Sequence, residues 1–391
     1  MTMTMTRRDF LGTAAATVPL ARAGAQSSSI KIGVMSDESG VCAKRWEAAA
    51  IVAVELGIDD TKAARRDIPI QIISDDHRNK ADIGASLARQ WIEREGVDMI
   101  IGPQSTTVSL AAARVCNELD KVYINSPGVP SDLIGPECTS TTIHWTMDTL
   151  MLAHSTGRAM VEAGSDRWHF VTAQYAFGHA LERRISDSVI QAGGKVLGNA
   201  LAPLGNGDFS PFFLQARSGS ANAIGLCNAG ADTVNAIRHA STLGIIAEDV
   251  KLVAPLMFIG DVHALGLQAA QGIVVSDPFY WDRDDGTRRF GRRLQPTLGE
   301  AWPDMGLAGC YAATFHYLKA VTEMGIAEAK RSGAATVARM KAIPTNDDCF
   351  GQGKICADGR CLHSICLYEV KSLMESKYPW DYYKLLATTS V

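Results

Sequence analysis

Two groups of residues in this sequence have the types and spacing to do chemistry. Asp75, Asp76 and His77 are consecutive, and carboxylates beside an imidazole can hold a metal ion or exchange protons. Nine cysteines, which can form disulfides in an oxidising compartment, run from Cys42 to Cys366. Because the acidic triplet follows an apolar run over 68–73, the favoured interpretation of the triplet is a polar strand end in an α/β fold.

The sequence lacks the motifs that are typical of nucleotide-binding and hydrolytic enzymes. No G-x-G-x-x-G follows a predicted strand, and no G-x-x-x-x-G-K-[ST], G-x-S-x-G or H-E-x-x-H motif occurs. The nine histidines are scattered, and none has a metal-ligand spacing to a cysteine. We therefore predict a protein that is not an enzyme, with no catalytic residues, no metal and no cofactor.

Composition and charge narrow the class of protein further. The chain has 391 residues, of which 47% are apolar and 20% charged, and this length suggests two or three domains. The net charge of −4 carries no basic surplus, so no nucleic-acid partner is predicted. Beyond the N-terminal region, no stretch of 18 uncharged apolar residues occurs, so no membrane span is predicted.

Residues 1–26 have the pattern of a bacterial export signal. Arg7 and Arg8 precede an alanine-rich apolar stretch that ends at Ala21, next to small-x-small sequences typical of cleavage sites. The paired arginines resemble the twin-arginine signal, which exports proteins that are already folded. We therefore predict a periplasmic protein whose signal is cleaved near residue 25.

Apolar segments of strand length alternate with segments of helical periodicity over most of the remaining chain. Strands that are apolar throughout, each followed by a helix, indicate parallel sheets covered on both faces. A proline-containing polar segment, 126–148, separates two such runs and is interpreted as a connection. The predicted fold class is α/β, with two doubly wound, Rossmann-like parallel-sheet lobes. Near the C-terminus, 354–370 alternates around Asp358-Gly359, which predicts a hairpin.

Motifs at five places along the chain carry a family resemblance. They are Ile32-Gly33-Val34-Met35-Ser36-Asp37 with Ser39-Gly40, Ile101-Gly102-Pro103-Gln104-Ser105, Tyr175-Ala176-Phe177-Gly178, Asp261-Val262-His263-Ala264-Leu265-Gly266, and Asp358-Gly359-Arg360 with His363. In this order they resemble the type I periplasmic solute-binding proteins of ABC importers, in the leucine/isoleucine/valine-binding branch. The resemblance implies a clamp that captures a small solute between two lobes and presents it to a membrane permease and its ATPase. A monomer is expected.

The resemblance also implies three hinge crossings between the lobes. We predict the crossings near 145–149, 277–280 and 344–350. The implied division is a signal peptide at 1–26, lobe 1 at 29–146 plus 279–344, and lobe 2 at 147–278 plus 345–391.

In the resembled family, hydroxyl and backbone N–H groups of lobe 1 hold a ligand carboxylate. Ser105 has the matching position, at the start of a predicted helix, where free N–H groups and the helix dipole favour an anion. The second family contact falls on the loop that contains Gly128 and Ser131, so these two are predicted to supply a backbone contact and a hydroxyl. The alternative interpretation of Ser105 is a simple N-cap.

The remaining predicted ligand-binding residues come from lobe 2 and the second crossing. Phe177 matches an aromatic residue that covers the ligand in the resembled family, and Tyr175 lies beside it. Tyr280 and Trp281 are candidates to close over the ligand at the crossing, and Asn228 follows a predicted strand. For each aromatic residue the alternative interpretation is core packing.

One departure from the family bears on the ligand. The amino-acid-binding members carry a carboxylate for the ligand ammonium after the strand near residue 254, whereas this chain has no acid before Asp261. A buried ammonium without a partner is costly. We therefore predict a carboxylate ligand with an apolar or aromatic body, with a branched-chain or other hydrophobic amino acid as the alternative. A ligand-sensing partner of a membrane receptor and a secreted α/β enzyme are the alternative functions.

Cys356 and Cys361 flank the predicted hairpin turn. If Asp358-Gly359 forms a two-residue turn, the two cysteines face each other at a non-hydrogen-bonded position, where Cα atoms approach to about 4.5 Å. That spacing is compatible with a disulfide. A Cys356–Cys361 disulfide is therefore predicted, and buried free thiols are the alternative.

Overall fold

Strands and helices alternate through most of the computed structural model, which describes residues 29–36, 43–61, 68–103, 105–128, 131–217, 219–246 and 250–389. The predicted export signal and the motif residues Ser39-Gly40 lie outside the described residues. Among the helices in the described ranges, none is both long enough and apolar enough to cross a membrane.

The first part of the chain forms a five-stranded parallel sheet with the order β2-β1-β3-β4-β5. Its elements are β1 (Ile30–Ser36), α1 (Ala43–Asp59), β2 (Ile70–Asp76), α2 (Ala81–Gln90), a π-helical turn (Trp91–Glu95), β3 (Met99–Ile101), α3 (Thr106–Glu118), β4 (Val122–Asn125), a 3₁₀ helix (Ser131–Ile134) and β5 (Thr142–His144). All residues of β3 and β4 are buried, as expected for strands covered by helices on both faces. Asp75 and Asp76 end β2, which confirms the strand-end interpretation of the acidic triplet.

The next part of the chain forms the central strands of a second sheet with the same connectivity. Its elements are α4 (Thr149–Glu162), β6 (Arg167–Ala173), α5 (Ala176–Gln191), β7 (Lys195–Ala202), α6 (Ser210–Arg217), β8 (Ala223–Cys227), α7 (Ala231–Thr242), β9 (Lys251–Val253), α8 (Ile259–Leu265), α9 (Leu267–Ala270) and β10 (Val274–Asp277). The five strands are parallel in the order β7-β6-β8-β9-β10, the same winding order as in the first sheet. The predicted fold class is thus confirmed.

Four helices then return to the first sheet: α10 (Asp285–Leu298), α11 (Met305–Met324), α12 (Ile326–Arg331) and α13 (Gly333–Ala342). Polar contacts hold them there, and two of these are ion pairs between distant residues. Lys330 Nζ lies 2.7 Å from Asp98 Oδ2 in a largely buried ion pair, and Arg293 pairs with Asp60 at 2.6 Å. The long sequence separation of these partners shows that the first lobe is built from two distant parts of the chain.

The C-terminal part adds strands to both sides of the molecule: β11 (Thr345–Asp347), β12 (Gly351–Ile355), β13 (Cys361–Leu362), β14 (Ile365–Val370) and β15 (Tyr383–Thr389). The last two extend the second sheet next to β10 with antiparallel pairing, which makes it seven-stranded. The first three form a small antiparallel sheet whose turn lies against β5, because His144 N donates to Gly359 O at 2.9 Å.

Three short segments connect the two lobes, at 145–148, 278–284 and 363–364. His363 of the third segment is hydrogen-bonded to the first segment, with Nε2 3.0 Å from Trp145 O. Its ring centroid lies 4.5 Å from that of Phe350. The third segment differs from the predicted 344–350, because the small sheet stays with β5. We therefore propose a revised division: lobe 1 at 29–144 plus 285–362, and lobe 2 at 149–277 plus 365–389.

Three strands were not foreseen in the sequence, and one of them is β11, which lies in the predicted crossing 344–350. The segment 126–148, interpreted as a connection, contains β5 at its end, and β15 follows the predicted hairpin region. The three residues of β5 are Thr, Ile and His, which is too short and too polar a run to show strand periodicity. Its strand geometry comes from pairing with β4.

The structure contradicts the predicted Cys356–Cys361 disulfide, because both thiols are free and the hairpin has a different register. Cys361 pairs with Ile355, and Cys356 N donates to Arg360 O at 2.8 Å. Gly359, with a φ of 90°, is an additional residue in the turn. The loop therefore resembles a three-residue hairpin loop with a bulge and not the predicted two-residue turn. Because a shift of one residue moves a side chain to the other face, Cys361 shares its face with Ile355 and not with Cys356.

Acidification is expected to destabilise the fold through His316, which lies under the first crossing. Its ring is 5.6 Å from that of Trp145, Nε2 is 2.9 Å from Met340 O, and burial lowers its pKa to about 4. The unfolded chain binds a proton near pH 6.5 and the folded chain does not, so stability falls as the pH drops from 6.5 towards 4. Between pH 7 and pH 5 this residue should account for about 2 kcal/mol.

Urea unfolding of the wild type and of His316→Gln, at pH 7 and at pH 5, measures this effect. The variant should be less stable at pH 7 and should lose less stability on acidification. Equal losses in the two proteins would contradict the assignment.

Candidate ligand-binding site

A cavity of about 230 Å³ lies between the lobes, and we call it the cleft cavity. Its described lining residues are Thr106, Pro127, Gly128, Tyr175, Phe177, Ala229, Leu256 and Phe258. The first three belong to lobe 1 and the other five to lobe 2. A molecule bound here contacts both lobes at once.

The winding order of the sheets explains the position of the cleft cavity. Its lining residues follow the carboxyl ends of β3 and β4 in lobe 1, and of β6, β8 and β9 in lobe 2. In doubly wound sheets, ligands bind outside the carboxyl ends of strands, near the point where the strand order reverses. Two such edges face each other here.

The lobe 1 wall is the N-terminus of α3. Ser105 has the N-cap position, but its side chain does not cap the helix and lies with Oγ 3.3 Å from Thr107 Oγ1. The alternative interpretation of Ser105 as a simple side-chain cap is therefore not supported. Ser105 precedes the lining residue Thr106 and is not itself among the described lining residues. Thr106 lines the cavity, so the first turn of the helix borders it, and helix N-termini favour negative charge.

The loop after β4 forms the second part of this wall, and buried polar groups hold it in place. Asn125 Nδ2 donates to Gly128 O at 3.0 Å and lies 2.7 Å from His144 Nδ1. Burial lowers the pKa of His144, so the neutral ring can accept from Asn125 while Nε2 donates to Met147 O at 2.8 Å. Gly128 thus lies on the wall as predicted, whereas Ser131 begins the 3₁₀ helix and is not among the described lining residues.

The lobe 2 wall is aromatic and apolar. Tyr175 and Phe177 lie on it with ring centroids 5.8 Å apart, and both side chains are half-buried. Burial raises the pKa of Tyr175 to about 12, so its hydroxyl is neutral at physiological pH. Leu256 and Phe258 continue the apolar surface. This wall suits a flat or branched hydrocarbon body.

Asn228 lies directly before Ala229, which lines the cleft cavity. It is 1% exposed, and neither its amide nitrogen nor its amide oxygen has a hydrogen-bond partner within the described protein. An unpartnered buried amide is costly, so Asn228 is a candidate to bind a water molecule or a polar group near this strand end. The structure does not place Asn228 on the lining itself.

The structure brings neither Tyr280 nor Trp281 to the cleft cavity. Tyr280 Oη and Trp281 Nε1 both donate to Trp380 O, at 3.2 and 3.1 Å. The indole of Trp281 also stacks on Trp302 with ring centroids 3.6 Å apart. Because their polar groups are used within the protein and both side chains are buried, we leave them out of the proposed site.

Five lining residues were not predicted from the sequence: Thr106, Pro127, Ala229, Leu256 and Phe258. Leu256 and Phe258 lie in the stretch before Asp261 that contains no acidic residue. The sequence feature that could have identified these two residues is their position just after a strand, because every described lining residue follows a strand end.

The described lining residues of the cleft cavity carry no charged side chain, so the N-terminus of α3 is the feature that favours an anion. No carboxylate is among the described lining residues, and Asp261 uses its Oδ2 to accept from Phe258 N at 3.0 Å. Burial raises the pKa of Asp261, which weakens its negative charge further. Within the described part of the chain, no group of His, Cys, Asp and Glu could hold a metal ion. The arrangement can hold a carboxylate at α3 and an apolar body against lobe 2.

Comparison with known proteins adds independent information. Residues 29–377 match the family model described as periplasmic binding protein. A periplasmic binding protein of Burkholderia mallei is 40% identical, with a TM-score of 0.81 over 93% of this chain and 95% of that one. A branched-chain amino acid ABC transporter periplasmic ligand-binding protein of Burkholderia xenovorans is 28% identical, with a TM-score of 0.86 over 93% and 96%. The Leu/Ile/Val-binding protein homolog 6 of Brucella melitensis is 23% identical over 75% of this chain and 77% of its own length.

Proposed function

Because this chain belongs to the periplasmic binding protein family, we propose that it is the solute-binding component of an ABC importer that captures a small carboxylate with an apolar or aromatic body. The observation that carries the proposal is the composition of the cleft cavity. The first turn of α3 faces an aromatic wall in a cavity of about 230 Å³, and no carboxylate is among the described lining residues.

Benzoate-like acids fit this cavity better than α-amino acids. Both kinds of ligand carry a carboxylate for the N-terminus of α3, but only the amino acid brings an ammonium. Among the described lining residues, the ammonium would meet hydroxyl groups and apolar side chains, and burying an unpaired cation is costly. The Burkholderia xenovorans relative is named for branched-chain amino acids, so leucine is the direct competitor in any test.

Capture works by closure of the two lobes. A ligand that contacts only one wall in an open clamp gains the second wall when the lobes close, so binding shifts the population towards the closed form. We propose that a membrane permease and its ATPase recognise that form, and that the chain acts as a monomeric carrier and not as an enzyme. We also propose that residues 1–26 direct export to the periplasm by the twin-arginine route.

The ligand class is tested by calorimetry with leucine, benzoate and 4-hydroxybenzoate. We expect saturable binding of the aromatic acids and at least tenfold weaker binding of leucine. Strong binding of leucine alone would overturn the choice of ligand class, and binding of no small carboxylate would overturn the proposed function.

Replacing Ser105 by alanine should weaken benzoate binding about tenfold, the loss of one hydrogen bond to a charged group. Ser332 provides a matched control, because its side chain accepts from Ala335 N and so caps α13. Ser332→Ala should cost about 1 kcal/mol of stability and leave binding unchanged. If Ser105→Ala behaves like Ser332→Ala, the anchor role of Ser105 is wrong.

A further inference from the structure

A second cavity, which we call the hinge cavity, has a volume of about 300 Å³. Its described lining residues are Leu150, Met151, His154, Arg360, Leu362, Ile365 and Thr389. It shares no described lining residue with the cleft cavity. An engineered apolar cavity of about 150 Å³ already binds benzene, so this space suffices for a substituted aromatic molecule.

The hinge cavity lies between the two lobes at their connections. Arg360 and Leu362 belong to the small sheet, which is bonded to β5 of lobe 1. Leu150 and Met151 start α4 of lobe 2, and Ile365 starts β14 on the other side of the third connecting segment. Any movement of the lobes about these segments changes the distance between opposite walls of the cavity.

The charges around the hinge cavity disfavour an anion. Arg360 Nε lies 2.7 Å from Asp148 Oδ2, and its Nη2 lies 3.8 Å from Asp358 Oδ2. Two carboxylates therefore compensate the single guanidinium, and a ligand carboxylate would be repelled. Most other lining side chains are aliphatic, and Leu150 is 38% exposed. A neutral ligand can still accept a hydrogen bond from the guanidinium, whose fork carries five donors.

We propose that the hinge cavity is a second binding site, for a neutral apolar molecule with one hydrogen-bond acceptor, and that its occupancy changes the affinity of the cleft cavity. The coupling follows from the position of the site. A molecule that contacts both lobes has different contacts in each lobe arrangement, and such a difference is what shifts a conformational equilibrium.

Methyl benzoate and benzoate form the probe pair, because they share a ring and differ in charge. The first measurement uses Ala229→Phe as background, where a phenyl group fills the cleft cavity. Methyl benzoate should bind this variant saturably, and benzoate should bind it at least tenfold more weakly than it binds the wild type. Adding Leu150→Phe, which fills the hinge cavity from a half-exposed position, should weaken methyl benzoate binding at least tenfold. Leu386→Phe, on an exposed site of β15, is the matched control and should change nothing.

The second measurement tests the coupling in the chain with an intact cleft cavity. Methyl benzoate should change the affinity for benzoate about fivefold, within the usual range of allosteric coupling. Leu150→Phe should abolish this change, whereas direct competition in the cleft cavity would persist in that variant.

Absence of saturable methyl benzoate binding, or an unchanged affinity in the Leu150→Phe variant, would overturn the site. A benzoate affinity that responds equally with and without Leu150→Phe would overturn the coupling. Because the first measurement does not use the cleft cavity, its outcome is independent of the proposed transport function.

Discussion

Replacing Ala229 by phenylalanine is expected to weaken binding of the cleft ligand about 10- to 100-fold. This factor corresponds to the free energy lost when the ligand's aromatic ring can no longer be buried. Ala229 follows β8 and lines the cleft cavity opposite α3. A phenyl ring at this position takes the space that a benzoate ring would use against Tyr175 and Phe177. Calorimetry with benzoate measures the effect.

Ala231→Phe is the matched control for this prediction. Ala231 is exposed, starts α7 two residues further along, and is not among the described lining residues. It should retain wild-type affinity, and both variants should melt close to the wild type. Unchanged affinity in Ala229→Phe would mean that the ligand binds elsewhere.

Replacing Asp148 by alanine is expected to lower the free energy of unfolding by about 3 kcal/mol, the lower end of the cost of breaking a buried ion pair. Asp148 is completely buried in the first connecting segment, and its Oδ1 accepts from Leu150 N and Met151 N at the start of α4. Its other oxygen pairs with Arg360, whose side chain keeps 21% exposure and can partly recover hydration. Urea unfolding measures the loss.

Two further variants separate the cap from the ion pair. Asp208→Ala removes an exposed carboxylate that accepts from Ser210 N, and it should cost much less stability than Asp148→Ala. The double variant Asp148→Asn with Arg360→Met removes both charges and should recover most of the loss, because the buried cation without a partner is gone. A double variant as unstable as Asp148→Ala would contradict this expectation, because its asparagine can still cap α4 and no unpaired cation is left.

The fold class could be predicted because it depends on local patterns. Runs such as 30–35 and 122–125 are mostly apolar, and each belongs to a buried parallel strand. The third connecting segment could not be placed in this way. The stretch 345–362 carries no local sign of which lobe it joins, and its place is decided by the bond from His144 to Gly359.

The candidate site was predictable where a residue follows a strand end and unpredictable where tertiary packing decides. Gly128, Tyr175 and Phe177 lie on the cleft cavity as expected. Tyr280 and Trp281 are also aromatic and lie at a crossing, but their side-chain donors both bind the carbonyl of Trp380. That partner is about a hundred residues away in the sequence, so no local pattern could show it.

The sequence by itself determined the alternation of strands and helices, and with it two doubly wound lobes whose strand ends are the places for a ligand. The tertiary structure alone decided which strand ends face each other, which aromatic side chains are used up inside the protein, and on which face a cysteine lies. The physical reason is the distance along the sequence over which each interaction acts. Periodicity and turn residues act over a few neighbours, whereas the hairpin register at Gly359, the Asp148–Arg360 pair and the two cavities depend on contacts between distant segments.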